Sequence, residues 1–287
     1  MASTISQEVK EQIVSEYFKT SGGRVKLASS LTMPLRKQRD YKAVGRKAFI
    51  VHMLNNGTMP FYDRDPDVTA YVIGEEGDGI ISQAKSKRVF FPLFTIASNP
   101  EATIEELRTR RYDVVLRMQD RAKSEIQLKE DVRTFATIDA AAASIGNPNA
   151  PLGTSAPVSP AMISDAFGQI ERHRLRVARS FWNAVDYADV RKFGRDTFDP
   201  ESQQIMLRTG LQGVIYGAQI IETPQATAGR VYILTEKEFL GRIPVRIELT
   251  VISADRPWER VVGFSAFENL GIGVHNNFGQ QILLVAR

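Results

Sequence analysis

Few side chains in this chain can do covalent or metal chemistry. There is no cysteine and there are three histidines, His52, His173 and His275. The missing thiols exclude disulfides, thiolate nucleophiles, iron–sulfur clusters and thiolate zinc sites. The histidines lie far apart and share no local spacing, so each reads as a structural or surface residue. Asp63, Asp65 and Asp67 alternate like the opening of a calcium loop. The sixth position of that loop is Val68 where glycine is needed, and the twelfth is Gly74 where glutamate is needed. These aspartates therefore read as solvated turn carboxylates. The pairs Glu75-Glu76 and Glu105-Glu106 sit among polar neighbours, with neither the burial nor the adjacent charge that would shift a carboxyl pKa. No glycine-rich loop leads into Lys-Ser/Thr, and Gly271-Ile272-Gly273 lacks the remaining glycine of a dinucleotide fingerprint. Gly263-Phe264-Ser265-Ala266-Phe267 ends in phenylalanine and is no nucleophile elbow. The sequence assigns no catalytic, cofactor-binding or metal-binding residue and calls for no cofactor.

What remains is electrostatic. The 287 residues carry a net charge of +4, unevenly spread. Residues 19–47 hold nine bases (Lys19, Arg24, Lys26, Arg36, Lys37, Arg39, Lys42, Arg46, Lys47) and one acid, Asp40, leaving −4 on the rest. Nine cations suit phosphate neutralisation. With Tyr41 as the stretch's one aromatic and no periodic recognition helix, however, base reading is not expected. Contact with acidic surfaces of sibling subunits is the favoured use. A composition of 43% hydrophobic and 24% charged residues is that of a folded protein. The polar start and short apolar runs, such as Ile282 to Ala286, offer no targeting signal or membrane span. The chain reads as soluble and made in a reducing compartment.

The elements that would position these charges follow from periodicity. Residues 4–19 read as an amphipathic helix with a Thr4–Gln7 capping box, ended by Ser21-Gly22-Gly23. Residues 24–40, broken by Pro34, read as an extended arm. A second helix is expected over Tyr41 to Leu54, stopped by Asn55-Asn56-Gly57. Over residues 60–97, Val68, Ala70 and Val72 alternate with polar neighbours, Gly74 to Gly79 form a turn, and Ile80 to Arg88 return. Such a hairpin has too little apolar surface to stand alone. Asn99-Pro100-Glu101 then opens a helical pattern over Ala102 to Ser144 with Ile104, Leu107, Val115, Met118, Ala122, Ile126, Phe135, Ile138 and Ala142 on one face. As one helix it would span roughly 60 Å; two helices with a kink are the other reading. After a Pro/Gly-rich connector come a helix from Pro160 to Arg172, a strand through Leu175, Val177 and Phe181, and a helix from Asn183 to Phe193 before Gly194. A short helix opens at Asp199-Pro200. Strands follow over Gly213 to Glu222, Gly229 to Thr235, Ile243 to Ile252, Val261 to Glu268 and Gln280 to Val285.

This order resembles the major capsid protein of tailed bacteriophages, with its Hong Kong 97-type shell fold. The resemblance is carried by Trp182 to Gly194, with its Asn, Asp-Tyr and short helix, and by the Gly-rich strand pair Gly210 to Ile221. Val231 to Leu234, Gly241 to Arg246 and Glu268 to Gly271 resemble later landmarks. It implies an α+β capsid fold with an N-terminal arm (1–57), an extended β-hairpin loop (58–98), a peripheral domain with the spine helix (99–157), an axial domain (158–256), and a return to the peripheral domain (257–287). It implies a non-enzymatic subunit that self-assembles through hexamers and pentamers into an icosahedral head shell enclosing double-stranded DNA, with the virion as its location. DNA would be touched non-specifically if at all, and no membrane is involved. About fifty-seven residues before the loop are too few for a large fused scaffolding domain, which implies either a separate scaffolding protein, the reading Met1 favours, or a sequence that begins after a cleavage; a portal is a further expected partner and a decoration protein an optional one. Lys85 and Lys87 with Asn276 and Asn277 are the nominal pairs for the isopeptide cross-links of some relatives. Two other readings stay open: an encapsulin-like nanocompartment shell, and an α/β enzyme built from scattered residues such as His173 and Asp186.

Overall fold

The computed structural model describes residues 43–63, 87–109, 114–144, 146–153, 157–193 and 213–285. The expected helix over 4–19, the arm over 24–40, the alternation at Val68 to Val72, the turn at Gly74 to Gly79 and the helix at Asp199-Pro200 lie outside them. In chain order the strands and helices are β1 (Ile50–Met53), β2 (Phe61–Asp63), β3 (Arg88–Phe90), β4 (Phe94–Ser98), β5 (Glu101–Thr103), α1 (Ile104–Thr109), α2 (Val114–Ala142), β6 (Leu152–Gly153), α3 (Pro160–Glu171), β7 (Val177–Trp182), α4 (Ala184–Val190), β8 (Val214–Ile215), β9 (Ala218–Glu222), β10 (Arg230–Thr235), α5 (Lys237–Leu240), β11 (Gly241–Ser253), β12 (Val261–Leu270), β13 (Gly273–Val274) and β14 (Gln280–Leu284). They fall into two compact units. The smaller holds the described residues of Asn99–Ala122 and Ile252–Ser265, and the larger those of Tyr41–Ser98, Lys123–Val251 and Ala266–Arg287.

In the larger unit, a sheet runs in the order β6-β14-β10-β7-β9-β8. Its central strand β10 is buried along Val231, Tyr232, Ile233 and Leu234 because both faces are covered. Val231 and Ile233 meet Ile163, Ala166, Phe167 and Ile170 of α3. Tyr232 and Leu234 face the other way, into a core with Phe135, Ile138 and Ala142 of α2. Helix α3 starts where expected, with Pro160 in its first turn and the Ser159 hydroxyl accepting the Met162 N–H at 3.4 Å. Helix α4 starts at the expected asparagine: the Asn183 side chain accepts the Val185 N–H at 3.0 Å and donates to the Ala226 carbonyl at 2.7 Å. The strand region expected over Gly213 to Glu222 is a hairpin of β8 and β9, in keeping with the strand pair that the resemblance implies. Tyr216 and Gly217, at φ 49° and 83°, form the tight turn between β8 and β9.

Two expectations are corrected. The helix over Tyr41 to Leu54 is, in its described part, a 3-10 turn (Gly45–Lys47) followed by β1, which pairs in parallel with β11 from Ile50↔Arg242 to Met53↔Val245. Local pattern favoured a helix; an available strand edge and β-branched Ile50 and Val51 decided otherwise. The long helical pattern does not begin at Ala102. Residues Glu101–Thr103 are a strand paired with Val261–Gly263, the Thr103 hydroxyl accepts the Glu106 N–H at 3.3 Å, and helix starts at Ile104. Of the expected run, α1 and α2 are described, and α2 ends at Ala142, near the expected Ser144.

The smaller unit is organised around the turn between β11 and β12. Arg256 pairs with Glu101 and with Glu259, and Asp255 accepts the Gly263 N–H at 3.1 Å. Trp258, at this turn, is 78% exposed. Residues 257–287 are shared between sheets: β12 and β13 join β1, β11 and β4, while β14 lies between β6 and β10.

Candidate functional site

The most structured polar site ties the end of the basic stretch to α2. Asp131 is fully buried, and its carboxylate accepts the Val44 and Gly45 N–H groups at 2.8 and 2.7 Å. It thereby satisfies two donors at the start of the 3-10 turn. The approach is close enough that a Cβ at residue 45 would stand 2.6 Å from Asp131 Oδ1 and 2.9 Å from Thr134 Oγ1, which is why glycine is there. One residue on, Arg46 donates through Nε to Glu130 at 2.8 Å and through a terminal nitrogen to Glu268 of β12 at 3.2 Å. Both carboxylates are about 1% exposed, and Glu130 Oε2 and Glu268 Oε1 have no hydrogen-bond partner among the described residues. One guanidinium thus serves two buried carboxylates. Burial pushes the Glu268 carboxyl up to about 7, with Glu130 adding to the rise and Arg46 opposing it. Burial also raises Glu130, against the pull of Arg46.

A second feature is the root of the hairpin. Strands β2 and β3 pair from Phe61↔Phe90 to Asp63↔Arg88, as the sequence predicts for the base of the two-stranded excursion. The Phe61 and Phe90 rings meet at a tilt, with centroids 5.3 Å apart, yet remain about half exposed, and Met53 and Met59 are exposed as well. Tyr62 is held by His52 at 2.7 Å, by the Phe91 ring at 5.3 Å and by the Arg242 guanidinium 5.1 Å above its ring. Beside it lies a cavity of about 210 Å³ with Asp63, Glu238, Arg242 and His275 in its lining.

A third feature is the groove beside β4. β4 pairs with β12 from Phe94↔Leu270 to Ser98↔Ala266 and, among the described residues, is the last strand of its sheet. Between β4 and α2 runs a groove of about 450 Å³, lined by Phe94, Thr95, Ile96 and Ala97 and, from the helix, Lys129 and Arg133.

The residues weighed for chemistry that are among the described ones each have their own partners. His173 contacts Asn149 at 3.2 Å, Arg172 at 3.1 Å and the Phe278 ring at 4.6 Å; burial lowers its pKa, with Arg172 adding to the effect. Asp186 accepts the Gly229 N–H at 2.9 Å. Asp63 is bound to Arg88 at 2.9 Å, while Asp65, Asp67 and Glu75-Glu76 lie outside the described residues. Glu105 and Glu106 are in the first turn of α1. Asn276 caps a 3-10 turn by accepting the Phe278 N–H, and Asn277 donates to Ser144 at 3.0 Å. Lys87 is exposed and Lys85 lies outside the described residues. Among the described residues no group of three His, Asp or Glu side chains could hold a metal ion, and no helix is long and apolar enough to cross a membrane.

Sequence reasoning missed Glu130 and Asp131. Their signal was present: on the apolar face of α2, Ile126 and Phe135 are nine residues apart, and these acids fill the gap at the buried positions between them.

Neither family models nor curated proteins match the sequence. Solved structures do match. The chain is similar to a chain of the capsid of cyanophage P-SCSP1u over 90% of its own length and 92% of the other, at 10% identity and a TM-score of 0.69. It is similar to a Gordonia phage Cozz chain over 100% and 97%, at 14% identity and TM-score 0.66. A virus-like particle from Pyrococcus furiosus matches over 85% and 92%, at 15% identity and TM-score 0.56. The chain therefore has the α+β shell fold of tailed-phage capsid proteins, the Hong Kong 97 type that the sequence resembles.

Proposed function

We propose that this chain is a major capsid protein: many copies close through hexamers and pentamers into the icosahedral head shell of a tailed bacteriophage, enclosing double-stranded DNA. No catalytic step is involved. The observation that carries the reading is a fold shared with phage capsid chains over about nine-tenths of both partners. The firm anchoring of residues 44–46 supports it, since a shell subunit needs placed arms. In this reading residues 1–57 are an arm, 58–98 an extended loop, 99–157 a peripheral domain with α2 in the spine, and 158–256 an axial domain built on the β7–β10 sheet. The return over 257–287 is then divided, because β14 joins that sheet. Separate scaffolding, portal and decoration proteins would be its partners, DNA contact would be non-specific, and the virion its location after synthesis in the host bacterial cytoplasm.

A closed cellular compartment is the second reading, kept because one similar structure is a virus-like particle from a cellular organism, Pyrococcus furiosus. Light scattering and negative-stain microscopy of the purified protein test the shell: megadalton closed particles are expected, and a monomer or dimer under every assembly condition refutes it. Nuclease-protected DNA in native particles favours the phage head; a protein cargo favours the compartment.

A further inference from the structure

We propose that Lys47, Arg179 and Lys237 form a binding site for the phosphodiester backbone of DNA. The proposal rests on the shell reading for the supply of enclosed DNA, and goes beyond it in naming the side chains that hold a phosphate.

The fold gathers these cations from distant parts of the chain. Lys47 closes the 3-10 turn, and the next two residues, Ala48 and Phe49, enter the core. The Phe49 ring packs so closely over Gly241 that a Cβ there would stand 2.7 Å from it. This brings Lys47 towards α5, which begins at Lys237 and ends at Leu240. Arg179 lies on β7, opposite Leu234 of β10 on one side and Gln219 of β9 on the other. Ala48, Leu234 and Leu240 share one core. Around it Arg179 and Lys237 are half-buried, and Lys47 and Gln219 are exposed.

The three charges repel one another. Burial lowers the pKa of the Lys237 ammonium, and Arg179 and Lys47 lower it further. Among the described residues none of the three has an ion-pair partner. Arg46, one residue before Lys47, is neutralised inside the chain by two carboxylates; Lys47 instead meets two like charges. Cations held together against their own repulsion, with one titration displaced, mark a place where an anion belongs. Several donors on one point suit a group with several acceptor oxygens, which a phosphate is. The Gln219 amide beside Arg179 adds a neutral donor. The site also continues the basic stretch 19–47, of which Lys47 is the last base. A polyanion following that stretch reaches the site, whereas a lone phosphate gains nothing from the continuity. Contacts of this kind position a duplex and carry no base sequence.

The test uses the full, unassembled chain and a short labelled DNA duplex, read by fluorescence anisotropy over a salt series. Each cation placed on a phosphate contributes about 0.9 to the slope of log K against log salt. Lys237→Gln should therefore reduce the slope by about 0.9, and the triple Lys47→Gln, Arg179→Gln and Lys237→Gln by about 2.7, with binding at least about tenfold weaker at roughly 0.1 M salt. Lys237→Arg should keep the wild-type slope. Urea unfolding separates binding from folding: relief of repulsion leaves the triple variant at least as stable as wild type. A loss of stability in each single glutamine variant reveals internal ion pairs and overturns the site, as does a triple variant with an unchanged slope. Poly-glutamate bound more tightly than the duplex, and released by the triple substitution, makes an acidic protein the occupant and overturns DNA. Inorganic phosphate distinguishes the source: stabilisation by phosphate that the triple variant loses, with the duplex slope intact, makes this a free-phosphate site and likewise refutes the proposal. Particle formation is scored separately. An unchanged slope in a chain that forms particles sinks the site and leaves the shell reading intact; a wild-type chain that forms none sinks the shell reading, and the slope still decides the site.

Discussion

Replacing Glu268 by glutamine should make this protein more stable at alkaline pH, although it deletes half of an ion pair. Glu268 is about 1% exposed, and its carboxyl titrates near 7 in place of its ordinary 4.5. A carboxyl with a raised folded-state pKa binds its proton more tightly in the folded chain than in the unfolded one. Stability from this group is therefore full below about pH 4.5, falls as pH rises towards 7, and is lost above it. At 1.36 kcal/mol per pKa unit, the shift amounts to roughly 3 kcal/mol across that window. Glutamine keeps the shape and cannot ionise, so it removes this penalty. It also weakens the Arg46 hydrogen bond from a charge-assisted one to a neutral one, at about 1 kcal/mol. The net expectation is a gain of about 1–2 kcal/mol at pH 8, a change near zero or a slight loss at pH 5, and a flatter pH profile between. Urea unfolding of the unassembled chain measures this, followed by the fluorescence of buried Trp182. The converse variant Arg46→Met leaves two buried carboxylates without their cation. Its cost, on the order of 2–4 kcal/mol because Arg46 is itself partly exposed, should be larger at pH 8 than at pH 5. A Glu268→Gln protein no more stable than wild type at pH 8, or with the wild-type slope between pH 5 and 7, would refute this account of the cluster.

Further outcomes follow from the same packing. Gly45→Ala forces a methyl into the space of Asp131 and Thr134 and should cost about 1–3 kcal/mol, with faster hydrogen exchange at Val44 and residue 45 as its signature. Phe135→Ala removes a ring packed at 5.7 Å from Phe181 and 5.0 Å from Tyr232, and a loss of about 3–5 kcal/mol in denaturant unfolding is expected. Asn183→Ala deletes both the cap of α4 and its tie to Ala226, and should lower stability by about 1–2 kcal/mol in the same assay. Deleting residues 1–40 should impair particle assembly while circular dichroism shows the body still folded; normal particles without the arm would refute a docking role for it.

Much of the fold was legible where short-range physics governs. Ser159-Pro160 announces α3 and Asn183 announces α4, because capping involves residues two or three apart. The apolar run at Arg230–Thr235 reads as a strand because two covered faces leave no polar alternation. The basic stretch and the root of the hairpin are legible in the same way, from local composition and alternation. Positions 45–53 were misread because helix and strand both satisfy their local pattern, and the deciding partner, β11, lies nearly two hundred residues away. The same separation hid the polar cluster. Arg46 meets Glu130 across 84 positions and Glu268 across 222. A glutamate on a helix looks solvated in sequence, and only the fold shows that its surface is covered. Strand order was likewise undetermined: nothing local places β14 between β6 and β10. The sequence by itself determined the class of most elements, the caps of α3 and α4, and an uneven charge distribution. Tertiary structure decided which strands pair and which charges were buried. Those outcomes depend on long-range burial and pairing, which periods of two or 3.6 residues do not encode.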